Sequence, residues 1–132
     1  ETAPVVPSQI RKVLEAKDSV IVWGDGEQTR AFTYVDDEVA GMMLAIEKHP
    51  VADPLNIGTD EEIKIKDLVK LIVELSGRDI KIEFDLTKPS GAPRRCADIS
   101  KAKRLIGYTP NVSIREGLKH TIAWYKEREG IR

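Results

Sequence analysis

V-I-V-W-G-D-G-E-Q-T-R-A-F-T-Y-V-D-D, residues 20–37, is the stretch on which the reading of this chain turns. Residues 20–23 form a short apolar, β-rich run, Gly24-Asp25-Gly26 is a turn, and residues 31–35 form a second β-rich run. Asp36 then stands where a helix N-cap belongs. From Asp37 to Lys48 the apolar Val39, Met42, Met43 and Ile46 recur at i, i+3, i+4 and i+7, which is one helical face, with Met42 and Met43 reading as core. His49-Pro50 closes that helix. Strand, turn, strand and helix in immediate succession place the chain in the α/β class.

Working outward, residues 8–16 read as a helix with Ser8 as N-cap and Ile10, Val13 and Leu14 on one face. Downstream, residues 55–57 are a short strand. Ile65, Leu68, Leu71, Ile72 and Leu75 mark an amphipathic helix that Gly77 caps. Residues 80–84 alternate apolar and polar, as a half-buried strand does. Residues 86–95 are a Pro/Gly loop, a short helix over 99–106 stops at Gly107, and Tyr108-Thr109-Pro110 is a turn. Ser113 and Glu116 form a capping box for a last helix lined by Ile114, Leu118, Ile122 and Tyr125. The expectation is short strands with four or five helices, and no linker long enough to separate two independent domains.

The 132 residues are enough for one domain, and 41% hydrophobic with 33% charged residues is a globular composition. A net charge of -1 argues against nucleic-acid binding, which calls for a basic surface. The apolar runs are far short of the roughly 20 residues a membrane helix needs, and the first residues lack the pattern of a secretory signal. A single cysteine, Cys96, excludes an internal disulfide and fits a reducing, cytoplasmic setting. The chain opens on Glu1 rather than Met, so it is read as a piece of a longer protein.

Three features carry possible chemistry. Arg30, between two β-rich runs, has the fork geometry to bind a diphosphate, or else pairs with Asp36 or Asp37 at the surface. The loop Lys88-Pro89-Ser90-Gly91-Ala92-Pro93-Arg94-Arg95 gathers three cations, as a ligand loop or as a solvated basic patch. Trp23 and Tyr34 are flat aromatics suited to stacking on a base or sugar, or to filling a core. His49, His120 and Cys96 are too scattered for a metal site. There is no nucleophile elbow and no distinctive carboxylate pair.

Taken together and in order, G-D-G-E-Q-T-R-A-F-T-Y-V-D-D, P-L-N-I-G-T, the Pro/Gly/Arg loop, D-I-S-K-A-K-R-L-I-G-Y-T-P and S-I-R-E-G-L-K-H-T-I-A-W-Y resemble the extended short-chain dehydrogenase/reductases that act on nucleotide sugars. Within that family, W-G-D-G-E-Q-T-R-A-F-T, with E-T-A-P at the chain start, is most similar to the GDP-mannose 3,5-epimerases, with UDP-glucose 4-epimerases, UDP-glucuronate decarboxylases and dTDP-glucose 4,6-dehydratases as near alternatives. The resemblance implies a Rossmann-type, NAD-dependent epimerase (an isomerase) or dehydratase (a lyase). It implies that residues 1–132 are its C-terminal, nucleotide-sugar-binding domain. In such enzymes the G-x-x-G-x-x-G cofactor loop and the catalytic Tyr-x-x-x-Lys pair lie upstream of a segment like this one. The chain is therefore expected to hold no catalytic residue, to bind no NAD and to be inactive alone, NAD belonging to the intact enzyme. Its expected partners are a nucleotide-diphosphate sugar and either the missing N-terminal half or a second copy, with no nucleic acid and no membrane.

The same resemblance implies that Arg30 and Arg95 bind the diphosphate in one cleft, that Lys88 replaces Arg95 if the register shifts, and that Val20, Ile21 and Val22 lie against the base. It makes Asp98 a helix cap. It assigns the helix over 37–48 and the strand over 55–57 to the cofactor half, so their apolar surface is expected to be bare. Lys64 stands where the family has a Ser or Thr cap, which predicts a weakened helix start. The alternative reading is a stand-alone, non-catalytic binding module derived from the same family.

Overall fold

The structure, a computed structural model, describes residues 4–131; Glu1 to Ala3, which carry most of the E-T-A-P likeness, lie outside them. In chain order its elements are α1 (Val5–Glu15), β1 (Ser19–Trp23), β2 (Thr29–Ala31), α2 (Val35–Lys48), β3 (Glu62–Lys64), α3 (Ile65–Ser76), β4 (Lys81–Asp85), β5 (Arg94–Arg95), α4 (Ser100–Ile106) and α5 (Ile114–Glu129). Short strands and five helices agree with the expected α/β class. Two compact units emerge, each assembled from segments distant in sequence, so no single linker divides them. No helix among the described residues is long and apolar enough to cross a membrane.

Among the described residues the first unit comprises 4–28, 64–93 and 118–131. Strands β1 and β4 pair in parallel, Ser19 opposite Lys81 through Trp23 opposite Asp85. Helix α1 packs on α3, and the unit buries Ile10, Val13, Leu14, Val20, Val22, Ile65, Leu68, Val69, Ile72, Leu118 and Ile122. Helix α1 begins at Val5, so Ser8 is not its cap. Pro7 sits in the first turn, where a missing N–H costs nothing, and Ser8 N–H reaches Pro4 O at 3.1 Å.

The start of α3 is held by a means the sequence did not disclose. Lys64 offers no side-chain cap. Instead Ile65 N–H donates to Gln28 O and Lys66 N–H to Gly26 O, both at 3.0 Å, so the Gly-rich turn supplies the missing acceptors. Gly26 makes that approach possible: its φ is +71°, and a Cβ there would stand 2.8 Å from Lys66 Cβ and 2.9 Å from the Phe84 ring. Glu27 pairs with Lys64 and Lys66, and those ammoniums lower its carboxyl to about 2.

The second unit comprises Thr29–Ile63 and Arg94–Gly117. Its sheet runs β3-β2-β5. Ile99, Ala102, Ile106 and Tyr108 form its buried cluster, with Leu44, Ala45, Leu55, Ile57 and Ala97 packed against it. Several sequence expectations are corrected here. The second β-rich run is shorter and earlier, over Thr29–Ala31. Helix α2 starts at Val35 with Tyr34 at its N-cap, so Asp36 lies in the first turn beside Asp37 and Glu38, where carboxylates oppose the positive helix end. Buried Asp37 accepts the backbone N–H groups of Asn111 and Val112, each at 2.9 Å, and so fixes the turn before α5. Residues 55–57 are not a strand; Leu55 and Ile57 are held by packing and Asn56 by a 3.0 Å bond to Asp98 O. Asp98 is one place early to be the cap of α4, yet its carboxylate accepts Ser100 N–H at 2.9 Å.

Helix α2 leaves its apolar face bare, as the family resemblance implies and against the reading of Met42 and Met43 as core. Val35, Val39, Met42, Met43 and Ile46 are 51–70% exposed, so Met42 and Met43 are not core. The stripe that packs inward is Asp37, Gly41 and Ala45. A Cβ on Gly41 would come within 2.4 Å of Ile57 and 2.8 Å of the Tyr108 ring, so only glycine lets the helix approach this closely. The Tyr108 hydroxyl donates to Gly58 O at 2.8 Å inside this cluster. Tyr108→Phe would leave that buried carbonyl without its donor, and a loss of about 1–2 kcal/mol in denaturant unfolding is expected; an unchanged midpoint would contradict this account.

Candidate functional site

In the second unit β2 and β5 pair in parallel, with Thr29 opposite Arg94 and Arg30 opposite Arg95. Residues directly opposite in a sheet share a face, and neighbours along a strand point to opposite faces. Thr29 and Arg94 therefore lie on one side, Arg30 and Arg95 on the other. Arg95 was read as part of a loop; instead Arg94–Arg95 is a short strand, and this brings the two expected arginines side by side.

The two faces differ in charge. On the first, Arg94 Nε lies 3.1 and 3.0 Å from the two carboxylate oxygens of Glu62, and its Nη2 lies 2.5 Å from Oε1. The Thr29 hydroxyl donates to Glu62 Oε2 at 3.0 Å. The Arg94 guanidinium and the Thr29 hydroxyl hold the Glu62 carboxyl below the ordinary carboxylate range. On the other face, no carboxylate among the described residues pairs with Arg30 or Arg95. Arg30 Nη1 donates to Thr29 O at 2.6 Å, a tether that orients the guanidinium without neutralising it. The expected alternative partners, Asp36 and Asp37, are not joined to it. Two unneutralised guanidiniums in register suit a bidentate anion such as a diphosphate.

The remaining predicted residues, Tyr34 apart, lie in the first unit. Val20 and Val22 are buried in its core, which leaves Ile21 as the exposed member of the three. Trp23 is exposed rather than core, with the ammoniums of Lys12 and Lys88 at 6.0 and 5.9 Å from its ring centroid. Lys88 is thus engaged with an indole face. Tyr34, in the second unit, is half-buried against Gly117, where a Cβ would lie 3.1 Å from its ring. The sequence reading passed over Glu62, although an R-R pair in an extended segment already implies that one arginine faces away from Arg30.

A dinucleotide cofactor needs a Gly-rich turn between a strand and an open helix N-terminus. The Gly24-Asp25-Gly26 turn leads into β2, not a helix. The amides at the start of α3 are already taken by Gly26 and Gln28 carbonyls. Neither the Gly-rich turn nor the start of α3 therefore offers the arrangement that NAD needs.

Compared with known proteins, residues 2–121 match the family model for GDP-mannose 4,6-dehydratase. The chain is 38% identical over 129 residues to GDP-L-fucose synthase 1 of Arabidopsis thaliana, covering 95% of this chain and 40% of that protein. It is 33% identical over 118 residues to GDP-mannose 3,5-epimerase of the same plant, covering 89% and 31%. Overall identity thus favours the synthase over the epimerase that the W-G-D-G-E-Q-T-R segment resembles. The crystal structure of UDP-glucuronic acid 4-epimerase from Bacillus cereus, in complex with UDP-glucuronic acid and NAD, superposes with a TM-score of 0.83 at 34% identity, covering 95% of this chain and 40% of that one. The chain thus spans about 40% of the length of the first relatives it matches.

Proposed function

The chain belongs to the GDP-mannose 4,6-dehydratase family of extended short-chain dehydrogenase/reductases, and from that premise we propose that it is the nucleotide-sugar-binding, C-terminal portion of an NAD-dependent epimerase or dehydratase. The observation that carries this reading is the in-register pair Arg30 and Arg95, both unneutralised, on one face of β2–β5. They hold the diphosphate. NAD, which the Bacillus cereus relative binds, belongs to the whole enzyme and not to the residues of this chain. The base contact expected of residues 20–22 reduces to the Ile21 side chain and the strand backbone. A cytoplasmic setting, with Cys96 reduced, is part of the same proposal.

Because GDP- and UDP-linked substrates both appear in the names of the relatives, the titration uses both nucleotides. Chemical shifts of the 132-residue chain should move on adding GDP or UDP, with a Kd of roughly millimolar or weaker. Arg30→Ala or Arg95→Ala should weaken this about tenfold, since a charge-assisted fork is lost while the neighbouring guanidinium remains. Shifts that persist unchanged in both variants would dismiss the diphosphate assignment.

A further inference from the structure

We propose that Glu62 is a positioning residue for this anion site: it ties the three strands of the small sheet so that Arg30 and Arg95, and not Arg94, share the binding face. This rests on the diphosphate reading above. Strand β5 is two residues long, too short for its backbone ladder alone to fix a register. Strands β3 and β5 flank β2, so their backbones stand about 9–10 Å apart. The Arg94 side chain crosses β2 to grip both oxygens of Glu62, and Thr29 of the middle strand donates to the same carboxylate. One carboxylate therefore joins all three strands.

The consequence concerns two adjacent arginines. A slip of β5 by one residue would exchange the faces of Arg94 and Arg95. A slip that sets Arg95 opposite Thr29 leaves the net charge of the sheet unchanged but breaks the in-register pair with Arg30. Glu62 acts on the observed register, in which Arg94 and Thr29 stand opposite each other and donate to its one carboxylate, so that Arg95 falls on the face of Arg30. Simple charge reasoning gives the opposite expectation: Glu62 is an anion beside an anion site, so removing it should strengthen phosphate binding.

The two accounts separate in a titration of the full chain with inorganic pyrophosphate, followed by NMR and paired with thermal melts. Under the positioning account Glu62→Ala weakens pyrophosphate about five- to tenfold although the chain becomes more positive. Glu62→Gln, whose amide oxygen still accepts from Arg94 and Thr29, should recover most of that loss. Arg94→Lys changes an exposed side chain and conserves charge, but a lysine cannot fork, so affinity should fall about threefold or more. It also decides the matter should Glu62→Ala fail to fold. Affinity that rises or stays constant in Glu62→Ala or in Arg94→Lys, while Arg30→Ala still weakens binding about tenfold, overturns the role of Glu62 alone. Pyrophosphate affinity left unchanged by Arg30→Ala overturns the diphosphate site and this inference with it.

Discussion

Incubated with NAD and a panel of GDP-, UDP- and dTDP-sugars, the 132-residue chain should yield no product above background by NMR. Abstraction of a sugar hydroxyl proton needs a positioned base, and removing such a base typically costs about 10²–10⁴ in rate. The family resemblance assigns that role to a Tyr with Lys at the fourth position beyond it. Here Tyr34 is followed at that position by Glu38, Tyr108 by Val112 and Tyr125 by Glu129. Tyr108 is further disqualified by burial, which raises its hydroxyl above the ordinary phenol range, and by donation of that hydroxyl to Gly58 O. The Gly-rich turn leads into β2 and the first amides of α3 are taken, so neither is expected to position the cofactor. Both deficits act on the same step, and the expected result is complete loss. Turnover of any sugar would show that the chain carries a base and a cofactor site other than those considered.

What the sequence disclosed and what it withheld divide along a physical line. Signals that act over a few residues were legible. Gly77 and Gly107 close α3 and α4 in left-handed conformations, the stripe of α3 is buried at Ile65, Leu68 and Ile72, and Ser113 Oγ accepts Glu116 N–H at 3.3 Å as a capping box requires. Contacts between distant segments were not. The two residues of β5 have no periodicity of their own, and become a strand only because β2 lies beside them. Arg30 and Arg95 were chosen through a family likeness; that they share a face, and that Arg94 does not, follows from pairing and from Glu62. Helix α2 has two plausible inner faces, and the family likeness, not the periodicity, pointed to the bare one. Its large apolar stripe has the expected period, but the helix packs through Gly41 and Ala45, whose small size matters only once Ile57 and Tyr108 are placed against them.

That outward stripe has a consequence of its own: at rising concentration the isolated chain is expected to self-associate through α2. Met43 is 62% and Ile46 70% exposed, with Val35, Val39 and Met42 beside them. Below the stripe an apolar groove of about 590 Å³ is lined by Met42, Ile46, His49, Val51, Leu55 and Ile57. A contiguous apolar surface of this kind usually marks an interface. Burying a large apolar side chain fully is worth about 1.5–3 kcal/mol, so replacing two of them should weaken association by at least about a hundredfold. The same replacements should leave folding stability nearly untouched, since exposed positions shift it by about 0.5 kcal/mol or less. Sedimentation should therefore show the wild-type chain rising above 14.8 kDa with concentration, and Met43→Glu with Ile46→Lys remaining at that mass with an unchanged melting temperature. In a longer protein this same face would be open to the remainder of the chain, and self-association would then be lost without any substitution. A wild-type chain that stays monomeric at every concentration would mean that the α2 stripe, exposed as it is, does not act as an interface between copies.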